Sequence, residues 1–198
     1  MTATLVVLKK VIPPSALYQI QPRYFMTQQE LIDKLKDNHT AFTDYINSLT
    51  IEEFMLSRNE KWTAGQQLDH IRISVKPITQ ALAMPKLGLK AMFGKANRPS
   101  KSYDELVAKY KLKLQEGGVA TSRFIPEEIP FEQREQLIKS VNEVVNKLCK
   151  QLLAISEKDL DELILPHPLL GKLTLREMMY FTMYHVTHHH TAAEKNLK

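Results

Sequence analysis

Apolar residues recur along most of the chain with the 3.6-residue period of a helix, and the breaks between periodic stretches carry helix-start signals. A Ser or Thr followed three residues later by Glu or Gln pairs a hydroxyl with a free backbone N–H while the longer side chain reaches back to the cap residue. Thr27 with Glu30 predicts a first helix over 28–48, with Leu31, Leu35, Phe42 and Ile46 near one stripe. Thr63 with Gln66 predicts a second over 64–83, and Pro77 within it is expected to kink the rod. Ser102 with Glu105 opens a shorter helix over 103–116, closed by Gly117 and Gly118. After Pro130 a long helix over 131–155 buries Leu137, Val141, Val144, Val145, Leu148 and Leu152. Thr174 with Glu177 opens the last, over 175–196.

Two stretches, 85–101 with two Gly and two Pro among lysines and 117–130 with two Gly and two Pro, are expected to be connections and not core elements. Residues 1–25 hold a β-leaning run and three prolines, and are expected to form an N-terminal extension outside a domain spanning 26–198. Four long amphipathic helices with one elaborate crossover predict an all-α four-helix bundle, with the extra helix lying in the crossover between bundle helices 2 and 3.

Composition changes that picture little. The chain of 198 residues is 43% hydrophobic and 25% charged, as an ordinary globular domain is. No stretch approaches the roughly 18 apolar residues of a membrane helix, and the first residues lack the pattern of a signal peptide. One cysteine, Cys149, suits a reducing compartment. Together these predict a cytoplasmic protein with no membrane partner. The net charge of +5 comes from scattered lysines without an Arg-rich block, so no nucleic-acid partner is expected. Cys149 shares a helix face with Ile138, Val145 and Leu152, and is expected to be a buried, inert thiol.

The candidate chemistry lies in histidine. The stretch YHVTHHHTAAEK, residues 184–195, holds four of the chain's seven histidines and continues a helical pattern, unlike an appended tag. His185 and His189 stand four residues apart on one face, with Met178, Phe181, Thr182 and Ala192. His188 lies to one side of that line, and His190 is expected to meet solvent. A His pair at this spacing presents two imidazoles to one metal ion, or forms two core hydrogen bonds without one. A stable metal site needs a third ligand from another helix. His70, two turns into the second helix beside the small residues Ser74 and Ala81, is the best candidate. His39 on the first helix is a further interior histidine, and His167, between prolines, is expected to sit in a loop. No carboxylate shares the face of His185 and His189, so the general base of an H-E-x-x-H peptidase is missing.

Two separated motifs, Trp62-Thr63-Ala64-Gly65-Gln66-Gln67-Leu68-Asp69-His70 and His185-x-x-His188-His189, make the chain resemble the DinB/YfiT-like superfamily over roughly 26–197. The resemblance implies an antiparallel four-helix bundle with a long crossover, and a divalent ion, nickel or zinc, held by His70, His185 and His189. It also implies a homodimer and a small-molecule substrate. Relatives with assigned activities are mostly thiol-dependent, including bacillithiol-type S-transferases. The function expected by resemblance is thus a metal-dependent thiol S-transferase whose ion activates a thiol or water. A non-catalytic metal-binding or stress-response bundle and a metal-dependent hydrolase are the alternatives. Ala192 departs from the family's frequent polar residue three positions after the last ligand. Lys95 and Arg98 of the crossover are candidates to meet an anionic thiol cofactor, or else exposed surface cations.

Overall fold

The structure is a computed structural model and describes residues 24–198, so the expected extension falls almost wholly outside the described residues. Its helices are α1 (Gln28–Ser48), α2 (Ile51–Met55), α3 (Ala64–Leu82), α4 (Lys86–Phe93), α5 (Tyr103–Gln115), α6 (Arg134–Leu152), α7 (Glu157–Glu162) and α8 (Leu175–Leu197). Strands β1 (Ile164–His167) and β2 (Gly171–Thr174) form an antiparallel hairpin just before α8. The four long helices α1, α3, α6 and α8 make the expected bundle, and α5 lies in the crossover between α3 and α6 as anticipated.

Around the bundle the order is α1, α6, α3, α8, so α1 and α3 stand diagonally. Side-chain contacts give the directions. Arg134, opening α6, donates to the carbonyl of Leu49, just past the end of α1. Gln151, closing α6, donates to Thr79 near the end of α3. The Tyr180 hydroxyl of early α8 accepts from the Met26 N–H that precedes α1. Thus α1 and α8 run one way and α3 and α6 the other. The first turn of α3 therefore faces the last half of α8.

The hydroxyl caps at Thr27, Thr63, Ser102 and Thr174 all form reciprocal boxes with the residue three positions on, and Thr50 with Glu53 adds the same device for α2. Gly117 (φ 87°) ends α5, its N–H reaching the Leu114 carbonyl and that of Gly118 the Lys113 carbonyl, a left-handed stop that a Cβ would strain. Gly65 serves differently. A Cβ there would come within 2.6 Å of the Phe54 ring, so glycine lets α2 lie against the first turn of α3.

Several expectations need correction. Residues 85–101 are not merely a connection: Leu89 is buried and the segment forms α4, which packs on β1. The helix expected over 131–155 runs Arg134–Leu152, because a 3₁₀ turn precedes it and tightened turns close it at Ala154 and Ile155. Gln28 donates to the freed carbonyls of Leu152 and Ile155. The hairpin was not expected, and it takes His167 out of a loop and into β1.

The start of α8 is held by buried charge. Glu177 is fully buried, accepts from Arg98 at 2.6 and 2.9 Å, and takes the N–H groups of Lys101 and Thr174. Burial pushes this carboxyl up, but those donors outweigh it and hold it below the usual range. Arg176 grips Asp161 in a two-bond fork of 2.7 and 2.9 Å and also meets Glu157. Arg98 is therefore committed to the fold, which corrects it as a candidate for a cofactor, whereas Lys95 is an exposed cation 3.5 Å from Glu162. Cys149 is buried as expected, and burial pushes its thiol up to about 11.

His39 is buried in α1, with Nδ1 2.6 Å from the Leu35 carbonyl and Nε2 sealed without a partner. Burial lowers its pKa from 6.5 to about 4. The unfolded chain therefore takes up a proton that the folded protein refuses, so this histidine supports the fold above pH 6.5 and its support drains away as pH falls toward 4. Replacing His39 by Leu is expected to flatten the acid dependence of stability by on the order of 2–3 kcal/mol between pH 7 and 4.5, measured by urea unfolding at both pH values.

Candidate metal centre

α3 delivers His70 and α8 delivers His185 and His189 to one buried point. The antiparallel crossing of these helices sets the second turn of α3 against the fourth turn of α8, and the i, i+4 spacing stacks the α8 pair. The Nε2 atom of His185 lies 3.1 Å from that of His70 and 3.0 Å from that of His189. One nitrogen from each ring lies within 4.8 Å of the others, a donor set that can hold a metal ion.

Partners behind the rings decide which nitrogens carry protons. His70 Nδ1 is 2.6 Å from the Phe124 carbonyl, which only accepts, so Nδ1 must be the N–H. His189 Nδ1 likewise faces Gln67 Oε1 at 2.5 Å. Both rings therefore turn a bare Nε2 lone pair toward His185. That ring has one Nε2 to offer, so at most one of the two contacts can be a hydrogen bond. The other sets lone pair against lone pair. A proton would relieve this, but burial pushes His185 and His189 well below their ordinary values, with neighbouring imidazoles adding to the effect, and burial also lowers His70. A cation at the convergence point fits the set, with Gln67 and the Phe124 carbonyl orienting two ligands from behind.

The remaining histidines separate as follows. His188 is half-buried, its ring 5.1 Å from that of His189, and its nitrogens stay outside the converging set. His190 does not simply meet solvent: it is half-buried against Phe42 and Tyr45, with ring centroids at 5.2 and 4.8 Å. His39 is a core histidine away from the cluster.

The three histidines line a cavity of about 630 Å³ between α3, α8, the hairpin and the 117–130 segment. Trp62 lies beside the cluster, its ring centroid 5.0 Å from that of His70 and 6.1 Å from that of His189. The walls are mostly apolar, with Ile78, Leu114, Leu165, Met178 and Phe181 among them, and no Asp or Glu lines the cavity among the described residues. Arg123 is its one lining Lys or Arg, again among the described residues. Asp69, beside His70 in sequence, turns away to Arg72 at 2.7 Å.

Sequence patterning missed Gln67, Phe124, Arg123 and His167 at this site. Gln67 had a usable signal, since it stands three residues before His70 and so shares its side of α3. Phe124 acts through its backbone, which side-chain identity does not announce.

At pH 7, His70 and His189 are expected to be neutral and protonated at Nδ1, as long-range ¹H–¹⁵N imidazole spectra would read directly. Gln67→Leu should release His189 into a tautomer mixture and leave His70 unchanged; the Nε2–H form in both rings of the unaltered protein would refute the assignment.

No curated protein matches the chain. A family model described as the DinB superfamily matches residues 35–193, a span that includes all three converging histidines. With that match over most of its length, and a helical bundle of the expected kind, the chain belongs to the DinB superfamily.

Proposed function

We propose that the chain is a metal-dependent enzyme of the thiol S-transferase kind, with a divalent ion, zinc or nickel, held by His70, His185 and His189. The observation that carries this is the convergence of three Nε2 atoms beside a largely apolar cavity, with the protons of the His70 and His189 rings directed to acceptors behind them. When bound there, a divalent ion supplies Lewis acidity that favours the ionised form of a thiol or water near neutral pH.

The chain's own residues prepare the rest. Three uncharged imidazoles add no negative charge to offset the cation. Gln67 and the Phe124 carbonyl hold two of the rings in the ligating tautomer. Trp62 and the apolar walls keep bulk water from the reacting groups, which strengthens charge interactions within. Arg123 stands where an anionic part of a low-molecular-weight thiol would enter, the role first assigned to Lys95 and Arg98. A thiolate at the cluster and an apolar electrophile in the cavity would then lie side by side, and transfer follows from proximity.

The absence of a lining carboxylate, among the described residues, weighs against a hydrolase that needs a general base. The opening of the cluster onto a cavity weighs against a purely structural ion, which favours a closed four-ligand shell. The protein is further proposed to act on a small molecule in the cytoplasm as a homodimer.

Tag-free protein is expected to carry about one divalent ion per chain by elemental analysis. His70→Ala and His189→Ala should each lower affinity at least tenfold; unchanged metal content in both would sink the site.

Cobalt-substituted protein titrated with glutathione, cysteine, coenzyme A and bacillithiol should develop a thiolate-to-cobalt absorption band with at least one of them. No band with any thiol, together with ester hydrolysis that depends on His185, would replace the transferase proposal with the hydrolase.

A further inference from the structure

His167 is a half-buried histidine that the metal proposal does not use. It ends β1, and its Nδ1 accepts from two backbone N–H groups, those of Leu169 and Leu170, both at 3.1 Å. This is the turn an Asn or Asp side chain makes when it accepts from residues two and three ahead. The consequence for the ring is chemical. A nitrogen accepting two N–H bonds carries no proton, so the proton must sit on Nε2.

That Nε2–H has no protein partner among the described residues, and unlike His39 Nε2 it is not sealed off. The ring lines the cavity and packs edge-on to Phe181 at 4.2 Å, while Phe181 stacks on His185 at 4.7 Å. His167 is thus one aromatic ring removed from the converging cluster. Burial, aided by the nearby Lys109 ammonium, lowers its pKa to about 4, so the ring stays an uncharged donor at neutral pH. Lys109 itself is engaged with the Leu170 carbonyl of the same turn at 2.7 Å.

We propose that His167 is a fixed, neutral hydrogen-bond donor in the cavity wall that binds an acceptor oxygen of an otherwise apolar substrate, selecting for carbonyl-type compounds. The inference rests on the reading of this cavity as the substrate pocket. It does not require that a thiol be the second reactant. A backbone-locked tautomer makes the donor permanent, since the ring can flip its proton only by losing two hydrogen bonds. In a largely apolar wall a fixed donor favours a ligand that sets an acceptor against it, because an unpaired polar group on either side is penalised. If the substrate is the electrophile of a transfer reaction, the same bond would polarise its carbonyl.

Two substitutions separate this role from support of the turn. Asn places an oxygen where Nδ1 stands, so His167→Asn keeps the turn and removes the cavity donor. Gln places an amide N–H₂ where Nε2 stands, so His167→Gln keeps a donor and loses the turn acceptor. The probes are acetophenone and α-methylstyrene, alike in shape but differing in a carbonyl oxygen against a methylene. Binding to the protein as purified is followed through the ¹³C-methyl signal of Met178, which lines the cavity. His167→Asn should melt like the unaltered protein and reduce the preference for acetophenone about three- to tenfold. His167→Gln should melt lower and keep more of the preference. In the unaltered protein acetophenone should also move the ¹⁵N resonance of His167 Nε2.

A preference unchanged in His167→Asn, or binding of neither probe, would overturn the proposal. A preference lost in His70→Ala but kept in His167→Asn would assign the oxygen to the histidine cluster, overturning the role of His167 while leaving the metal proposal intact. Failure of the metal proposal shows instead in metal content, which neither His167 variant should alter.

Discussion

The rotation of α8 about its own axis decides everything the site can do, and adjacent buried charges set it. Arg176 and Glu177 point about 100° apart, as neighbours on a helix must. Arg176 is drawn to Asp161 and Glu157, whereas Glu177 is drawn to Arg98 and the backbone of Lys101. A helix fixed in two directions at its first turn cannot roll. From that anchor the helical period carries His185 and His189 to the side facing α3, and turns His190 toward Phe42 and Tyr45. Such buried ion pairs add little net stability against an apolar substitute. Their use here is geometric: a rotation of one residue's worth would bring a different histidine to the cluster.

This explains why so much of the bundle was legible from the chain alone. Capping boxes and apolar periodicity are local, and four of the five expected helix starts were correct to within a residue. The fifth lacked a hydroxyl cap: Gln133 precedes α6 without a side-chain cap bond, so its start shifts into a 3₁₀ turn. What escaped was tertiary in origin. Residues 85–101 carry Gly and Pro at loop-like frequency, yet Leu89 finds a buried seat against β1 and the segment coils to reach it. Lys95 and Arg98 look like free cations in a basic stretch until Glu162 and Glu177, far along the chain, are brought beside them.

The site divides along the same line. Helical spacing puts His185 and His189 on one face, and the placement of His70 two turns into α3 made it a plausible third ligand. The structure brings those three together, but the tautomers depend on Gln67 and on a carbonyl of the 117–130 segment that no side-chain pattern reveals. His167 was hidden for a different reason. Flanking prolines usually signal a loop, and here they flank the end of a short strand whose tight turn His167 itself completes.

Neutrality is the property these separate details share. Burial disfavours charge on His70, His167, His185 and His189 alike, and no carboxylate stands in the cavity lining, among the described residues, to restore it. Neutral imidazole has two useful forms, and the protein selects between them by what it places behind Nδ1. An acceptor there, as for His70 and His189, leaves Nε2 a lone pair fit for a cation. Two donors there, as for His167, leave Nε2 a proton fit for an oxygen. The same residue type is thereby prepared as an electron-pair donor at the cluster and as a hydrogen-bond donor elsewhere in the cavity wall. The choice is made by the backbone and amide groups placed around each Nδ1.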